Sequence, residues 1–222
     1  MWAVAWASGR EWAGVDGGSQ TQTRVVEEEE SLMNIVAIGG SPRVKGNSSS
    51  LLRIAVDSAV RRGASAQTFF PQKMRIAGCL ACDGCRKRPD SVCVQKDDMH
   101  AIYAAVKACD VLVLASPVYF YGLSSWLKAV VDRCYALITP EFSDLKEAPE
   151  PRVTPGKGFY LITTQNDASP FYGYQILSTV VYGLTWIGME RRGHLVATGL
   201  DGPDDWQRRP DLISAAERLI EV

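Results

Sequence analysis

The sequence predicts an α/β fold in which a doubly wound, five-stranded parallel sheet carries helices on both faces. Two observations support this prediction. Short apolar runs such as Asn34–Gly39 recur along the chain and are typical of strands buried on both faces. Between them lie longer segments in which apolar residues recur with helical spacing. Because strands alternate with helices, we expect neighbouring strands to run parallel and to be joined by helical crossovers.

The predicted elements follow one another from residue 34 to the last residue. Five strands are predicted at residues 34–39, 66–70, 111–116, 158–163 and 194–198. Five helices are predicted at residues 48–62, 97–108, 123–138, 173–187 and 210–222. Ser48 is expected to cap the first helix, and either Asp97 or Asp98 the second. Serine and aspartate side chains accept hydrogen bonds from the free amides at a helix start.

Length and composition fit one well-filled domain. The chain has 222 residues, of which 46% are hydrophobic and 22% charged. We expect this domain at residues 34–222. Residues 1–33 hold neither a helical nor a strand period, so they are predicted to form a disordered N-terminal extension. A partner-binding or oligomer-stabilising arm is the alternative.

Charge and hydropathy argue against several function classes. A net charge of −1 leaves no dense basic face for nucleic acid. No run of about eighteen apolar residues occurs, so no membrane span is predicted. The N-terminus does not have the pattern of a secretory signal, and a cytoplasmic location is therefore expected. In that reducing compartment, a cysteine cluster indicates metal or redox chemistry more often than disulfides.

The loop between the first strand and the first helix is a candidate phosphate site. It reads Gly39-Gly-Ser-Pro-Arg-Val-Lys-Gly-Asn-Ser-Ser-Ser50 and precedes a helix N-terminus, where unpaired amides favour an anion. The loop has neither the dinucleotide nor the NTPase glycine pattern. The alternative is an ordinary capped helix start. Hydrogen-bond donors for a phosphate are expected from Ser41, Arg43, Asn47, Ser48 and Ser49.

Three ordered motifs resemble those of the NADPH-dependent FMN reductase family of flavodoxin-like proteins. They are Gly-Gly-Ser-Pro-Arg with Gly-Asn-Ser in this loop, Ala115-Ser-Pro-Val-Tyr-Phe-Tyr-Gly after the third strand, and Lys128 with Asp132-Arg133 on the next helix. The resemblance covers about residues 34–200. It implies a flavodoxin-like fold, FMN as cofactor, NAD(P)H as co-substrate, and a homodimer or homotetramer.

The same resemblance implies where FMN binds. The phosphate would lie on the first loop, at the five residues named above. The flavin ring would be lined by Pro117, Val118, Tyr119 and Phe120, with Thr164 and Gln165 as hydrogen-bonding residues at the next strand end. Aromatic side chains at a strand end can stack on an isoalloxazine ring. The alternative is that Tyr119 and Phe120 fill the core or a dimer interface.

Four cysteines follow the second predicted strand with the spacing C-x2-C-x2-C-x7-C: Cys79, Cys82, Cys85 and Cys93. Three thiolates at i, i+3 and i+6 can curl around one corner of an iron–sulfur cube, while a fourth arrives from further along. Gly78 and Gly84 are expected to supply the turns. The spacing is similar to that of the iron–sulfur flavoproteins, a branch of the same family. This resemblance implies a 4Fe–4S cluster that exchanges single electrons with FMN.

Other interpretations of these cysteines stay open. The thiols could be free or redox-active, or they could bind zinc, although zinc sites commonly use two separated C-x2-C pairs. A disulfide is less expected in the cytoplasm. Cys109 and Cys134 lie at predicted core positions and are interpreted as packing residues.

The motifs together predict an FMN-dependent oxidoreductase that transfers electrons between NAD(P)H or a one-electron carrier and a small-molecule or protein acceptor. In such chemistry the flavin carries the difficult step, so no side chain needs to act as acid or base. Asp132 and Arg133 are accordingly interpreted as a structural or interface ion pair. The alternatives are a cluster-free NAD(P)H:FMN or quinone reductase, and a non-catalytic flavin electron carrier or redox sensor.

Overall fold

The computed structural model describes residues 32–87, 92–138 and 151–222. The predicted N-terminal extension lies almost entirely outside these residues. The strands are β1 (Asn34–Gly39), β2 (Ser65–Phe69), β3 (Val111–Tyr119), β4 (Gly122–Leu123), β5 (Gly158–Thr164) and β6 (Glu190–Ala197). The helices are α1 (Asn47–Arg61), α2 (Met99–Ala108), α3 (Ser125–Arg133), α4 (Phe171–Trp186) and α5 (Pro210–Glu217).

Five of the strands form a parallel sheet in the order β2-β1-β3-β5-β6. This is the strand order of flavodoxin-like folds, and it confirms the predicted fold class. The sequence did not predict β4, a two-residue strand that pairs antiparallel with the end of β3. It turns the chain back over the edge of the sheet at which β3 ends.

Apolar side chains of the central strands β1, β3 and β5 alternate between two buried layers. On β1, Val36 and Ile38 face one layer, whereas Ile35 and Ala37 face the other. Since successive side chains of a strand point to opposite faces, an entirely apolar strand requires helices on both sides. Helices α2, α3 and α4 cover the first face, and α1 and α5 cover the second.

The first four helices begin one or two residues away from their predicted starts. Asp98, one of the two predicted caps, stands directly before α2, but its side chain makes no capping hydrogen bond with a described residue. Gly46, not Ser48, occupies the position before α1, and no side-chain hydrogen bond caps this helix among the described residues. The third helix was predicted at 123–138, but α3 begins at Ser125 because Ser124 accepts a hydrogen bond from the Leu127 amide. After Arg133 the chain tightens into a 3-10 turn at Cys134–Leu137.

The strand order places the switch point between β1 and β3. The chain leaves β1 toward β2 on one side, and leaves β3 toward β5 on the other. In open α/β sheets, ligands bind at the carboxyl ends of the strands beside such a point. Gly39 pairs with Ala115, and Pro117 with Thr164, so the ends of β1, β3 and β5 lie side by side.

Candidate functional site

A cleft of about 180 Å³ opens where the loops after β1, β3, β5 and β6 meet. All the predicted cofactor residues except Ser49 and Phe120 line it. The lining residues are Ser41, Arg43, Gly46, Asn47, Ser48, Pro117, Val118, Tyr119, Thr164, Gln165, Asn166, Leu200, Asp201 and Pro203. The fold therefore brings together four loops from separate parts of the sequence.

The start of α1 forms one wall of this cleft. The helix has 15 residues, no acidic residue in its first turn, and no side-chain cap among the described residues. Its first amides and the positive end of its dipole therefore favour an anion. The loop before it is folded by a hydrogen bond from the Arg43 amide to Ser41 Oγ (3.1 Å). The Arg43 side chain is exposed at the rim, which suits a charge-assisted contact with a phosphate.

Two of the predicted phosphate donors have their side chains engaged elsewhere. Asn47 Nδ2 donates to the Gly202 carbonyl at 2.8 Å, and Asn47 Oδ1 accepts from the Trp206 amide at 3.2 Å. Ser49 Oγ donates to the Arg43 carbonyl at 3.1 Å. These two side chains shape the loops, so a phosphate would be bound by the backbone amides at the helix start together with Ser41, Ser48 and Arg43.

The Asn47 contacts also explain why the loop after β6 reaches the cleft. This loop brings Asp201 into the lining, which sequence reasoning missed. A usable signal was present, because the Gly199-Leu-Asp-Gly202 run follows the last strand and so had to emerge at the same edge of the sheet. Asp205 Oδ2 accepts hydrogen bonds from the amides of Asp201 and Gly202, which fixes the loop conformation.

The opposite wall contains a buried acceptor without a partner. Gln165 is only 6% exposed, and its Nε2 donates to the carbonyls of Asp167 (3.2 Å) and Ser169 (2.5 Å). Its Oε1 has no hydrogen-bond partner among the described residues. A buried unpaired acceptor costs about 1–3 kcal/mol, so a ligand donor here would be favourable. The donor set thus fits FMN, with cationic and amide groups on one wall and an acceptor on the other.

An aromatic turn extends the cleft outward. Phe120 and Tyr121 connect β3 to β4, and both have positive φ (46° and 63°), as in a type I′ hairpin turn. Phe120 is fully exposed, whereas the Tyr121 ring lies 4.7 Å from the Tyr172 ring on α4. These three rings line a second cavity of about 450 Å³, which shares Val118, Gln165 and Asn166 with the first. Sequence reasoning included Phe120 but missed Tyr121 and Tyr172.

The four clustered cysteines line a separate cavity of about 430 Å³. Cys79 and Cys82 are exposed, and Cys85 and Cys93 are partly buried. Within the described ranges, no three Cys, His, Asp or Glu residues converge closely enough to hold a single metal ion. Burial raises the pKa of the Cys85 thiol, and its neighbours Cys93 and Cys79 add to that rise. The four thiols therefore share one cavity without meeting at one point.

The turns of this cysteine loop differ from the prediction. The left-handed positions are Ala81 and Asp83, with φ of 50° and 52°, and not the two glycines. Gly84 has a different role, since a Cβ added there would lie 2.4 Å from Val94 Cγ1. The chain near Cys85 thus packs directly on the chain beside Cys93. At Gly78 an added Cβ would meet nothing within 4 Å.

Asp132 and Arg133 do not pair with each other. Arg133 pairs with Asp97, at 2.8 Å between Nη1 and Oδ2, while Asp132 pairs with Lys128 on the exposed side of α3. The interpretation of Arg133 as part of a structural ion pair therefore holds with a different partner. Cys109 and Cys134 are buried, as expected of packing residues. Desolvation raises the thiol pKa of Cys109 to about 11 and that of Cys134 to about 12.

No helix in the described parts of the chain combines the length and the apolar character that a membrane crossing requires. Comparison with known proteins found similar chains. An iron-sulfur flavoprotein of Methanosarcina thermophila is 36% identical over 111 residues, which are 50% of this chain and 57% of that protein. The chain thus spans little more than half the length of that relative.

A second relative is matched along most of its length. The putative NAD(P)H-dependent FMN-containing oxidoreductase YwqN of Bacillus subtilis is 27% identical over 190 residues, 85% of this chain and 97% of YwqN. Among solved structures, the Trp repressor binding protein of Bacillus subtilis superposes with a TM-score of 0.61 at 25% identity, covering 85% of this chain and 99% of that one. The family model for NADPH-dependent FMN reductase matches residues 33–164, and the chain belongs to that family.

Proposed function

We propose that this protein is an FMN-dependent oxidoreductase that moves electrons between NAD(P)H or a one-electron carrier and an acceptor. A 4Fe–4S cluster on Cys79, Cys82, Cys85 and Cys93 would be its second redox centre. The observation that carries the flavin half is the cleft at the switch point. It combines an uncapped helix start, the exposed Arg43 and the unpaired Gln165 acceptor.

The residues of the cleft have separate roles in this proposal. The first amides of α1, with the hydroxyls of Ser41 and Ser48 and the charge of Arg43, bind the phosphate. Pro117, Val118 and Tyr119 line the ring, and Thr164 and Gln165 orient it by hydrogen bonds. When bound, FMN supplies hydride and single-electron chemistry. The chain contributes binding, orientation and exclusion of water.

The proposed cluster is supported by the placement of the four thiols. They line one cavity, yet no three of them converge on a single point among the described residues. Zinc would require convergence at about 2.3 Å from one ion. A 4Fe–4S cube spreads its four cysteine ligands over its corners, and it therefore fits a larger cavity better than one ion does. The similarity to an iron-sulfur flavoprotein over 111 residues also supports the proposal.

A cluster-free NAD(P)H:FMN or quinone reductase is the second candidate. It is favoured by the match to YwqN over nearly that protein's whole length. The aromatic cavity formed by Phe120, Tyr121 and Tyr172 would then receive a flat acceptor beside the flavin. A non-catalytic flavin carrier or sensor would use the same cleft without steady turnover.

We also infer a homodimer or homotetramer in the cytoplasm, with small molecules or other redox proteins as electron partners and no role for nucleic acid or a membrane. Large aromatic side chains remain exposed on α3 and α4, which supports an oligomer. They are Trp126, Tyr174, Tyr182 and Trp186, each at least 40% exposed. Sedimentation of the full-length chain measures the assembly directly.

The flavin half is tested by titrating flavin-free protein with FMN and with riboflavin. We expect FMN to bind more tightly, because only FMN offers a phosphate to the start of α1. Arg43→Gln should weaken FMN binding by about tenfold and leave riboflavin binding unchanged, since a charge-assisted hydrogen bond contributes about 1.5–3 kcal/mol. Lys107→Gln, an exposed change on α2, is the control. Equal affinity for the two flavins would contradict the proposed phosphate site.

The cluster half is tested on protein purified without oxygen. We expect flavin absorption bands with an added broad thiolate-to-iron absorption, and about four iron and four sulfide per chain. Flavin bands without iron would favour the cluster-free reductase. NAD(P)H oxidation with an artificial acceptor then separates enzyme from carrier, because only the enzyme turns over steadily.

A further inference from the structure

The cysteine loop is closed at its neck by one buried ion pair. Ala77 and Asp97 flank residues 78–96, the segment that contains all four clustered cysteines. Arg133 Nη1 donates to the Ala77 carbonyl (3.0 Å) and to Asp97 Oδ2 (2.8 Å), and Nη2 donates to Asp97 Oδ1 (2.9 Å). The Ala77 amide completes the arrangement by donating to Asp97 Oδ2 at 3.2 Å. One guanidinium thus holds both ends of the loop.

This guanidinium is buried and well partnered. The Arg133 side chain is 1% exposed and that of Asp97 13%. Arg133 Nε donates to Tyr103 Oη at 3.3 Å, and the Tyr103 hydroxyl donates to the Arg133 carbonyl at 3.0 Å. A planar guanidinium can make this two-pronged contact with a carboxylate and still reach a carbonyl, whereas a lysine ammonium cannot reproduce the geometry.

The neck is attached to α3, and the residue before this helix contacts the loop after β1. Arg133 is the last residue of α3, a helix of nine residues and so about 14 Å long. At the other end of α3, Ser124 Oγ donates to the carbonyl of Gly40 in the phosphate loop at 2.6 Å. The helix therefore spans from the loop after β1, which forms part of the cleft, to the base of the cysteine loop.

We propose that Arg133 is a positioning residue for the cysteine loop: clamped to Asp97 and Ala77, it fixes the thiols at a set distance from the flavin cleft. This rests on the proposed two-centre function, but the geometry concerns the thiols whether or not they carry iron. The far part of the loop has its own anchor, because Arg152 Nη2 donates to the Cys85 carbonyl at 3.1 Å. Loss of the clamp should therefore release the neck and the segment around Cys93 first.

The test compares cysteine alkylation in full-length, iron-free wild type, Arg133→Met and Arg133→Lys, with each cysteine quantified by mass spectrometry at one fixed pH. Cys109 and Cys134 are buried internal reporters of global opening. Arg61→Met is the matched control, since it removes an arginine from an exposed pair with Glu217 at the end of α1. FMN binding is measured in parallel as a check on the cleft.

In Arg133→Met we expect Cys93 to be alkylated about tenfold faster than in wild type, which corresponds to about 1.4 kcal/mol of lost local stability. Alkylation of Cys109 and Cys134 and the binding of FMN should be unchanged. Arg133→Lys should be intermediate, because lysine keeps the charge opposite Asp97 but releases Ala77. A folded Arg133→Met with wild-type Cys93 labelling would overturn the proposal.

If Arg133→Met accelerates the alkylation of all six cysteines equally, the whole fold has loosened. The Arg133→Lys variant then tests the positioning role. A folded Arg133→Lys with wild-type labelling then refutes the positioning role. In protein reconstituted with iron and sulfide, Arg133→Met and Arg133→Lys should also change the electron paramagnetic resonance spectrum of the reduced cluster, whereas Arg61→Met should not. Absence of iron in wild type would remove the cluster proposal alone, since the alkylation is measured on iron-free protein.

Discussion

Ser124 is hydrogen-bonded to Gly40, and this contact joins the loop after β3 to the loop after β1. Ser124 Oγ donates a hydrogen bond to the Gly40 carbonyl at 2.6 Å and accepts one from the Leu127 amide at 3.3 Å. The Ser124 amide donates to Ser116 Oγ at 3.0 Å. No room remains at Gly40, where an added Cβ would lie 2.5 Å from Leu127 Cβ. One buried serine therefore both caps α3 and fixes the two loops that form the flavin cleft.

Ser124→Ala should lower both stability and flavin affinity. The substitution removes a helix cap and a hydrogen bond to a buried carbonyl, which together cost about 2 kcal/mol of the free energy of unfolding. Urea denaturation of flavin-free protein measures this loss, and FMN titration measures the loosened loop. Ser125→Ala, one residue further and exposed, should change neither. Equal effects of the two substitutions would show that the hydroxyl does not join the loops.

The central strands β1, β3 and β5 could be predicted because their signal is local. An apolar run such as residues 34–39 must be buried on both faces, and this holds in whatever sheet it joins. The first residues of the helices were harder to predict from the sequence. Ser48 has the residue type of a cap, yet Gly46 occupies that position because the loop folds back through the Arg43 carbonyl, a contact that residue type does not encode.

Phe120→Asn should stabilise the protein. Phe120 has φ of 46°, a conformation that costs a bulky L-residue about 1 kcal/mol, whereas asparagine is favoured at this position of a type I′ turn. Its ring is fully exposed, so the substitution loses no buried area. We expect the free energy of unfolding in urea to rise by about 1 kcal/mol, and the KM for an artificial quinone acceptor to rise with it.

The matched control for this change is Phe171→Asn. Phe171 is also an exposed phenylalanine, but it lies in the helical conformation at the start of α4. The backbone at Phe171 is not strained, so this substitution should not stabilise the protein. A gain at Phe171 equal to that at Phe120 would mean that removal of an exposed ring, and not relief of the turn, explains the result.

Asp97→Asn should change how stability depends on pH. The hydrogen bonds from Arg133 hold the pKa of the Asp97 carboxyl below its ordinary value of 3.8. Because the folded-state pKa is the lower one, the contribution is complete above the unfolded-state pKa and is lost as the pH falls through the folded-state pKa. Asp97→Asn should cost about 3 kcal/mol at neutral pH, since it leaves a buried guanidinium without its counter-charge.

The measurement is urea unfolding of wild type and Asp97→Asn over a pH series. The stability difference should be constant between about pH 5 and pH 8 and should shrink below about pH 4. Asp57→Asn, an exposed change on α1, serves as the control for the substitution itself. A difference that persists undiminished at the lowest pH would contradict the ion pair as its source.

The candidate site shows what motif reasoning can and cannot supply. Ser41 and Arg43 were found because they follow a strand that ends at the ligand-binding edge of the sheet, and Gln165 was found through the family resemblance. Asp201 was missed although it follows the last strand, whereas Tyr172 was missed because it reaches the second cavity through a tertiary contact, a tilted ring pair with Tyr121. The pairing of Arg133 with Asp97 was hidden for the same reason, because 36 residues separate the partners.

Gly84→Ala should disturb the cysteine loop through Val94. The added Cβ would lie 2.4 Å from Val94 Cγ1, and a β-branched side chain has few rotamers in which to move away. The displaced Val94 adjoins Cys93, so we expect less iron per chain after reconstitution and faster alkylation of Cys93. Gly78→Ala is the control within the same loop, since its added Cβ meets nothing within 4 Å.

The double variant Gly84→Ala/Val94→Ala separates packing from backbone effects. Alanine at position 94 lacks the Cγ1 atom that the new methyl would meet, so the double variant should recover iron content and slow labelling of Cys93. Val94 is itself 56% exposed, and Val94→Ala alone should have little effect. If the double variant stays as impaired as Gly84→Ala, the glycine is needed for its backbone. In that case, the packing of position 84 against Val94 does not hold Cys93 in position.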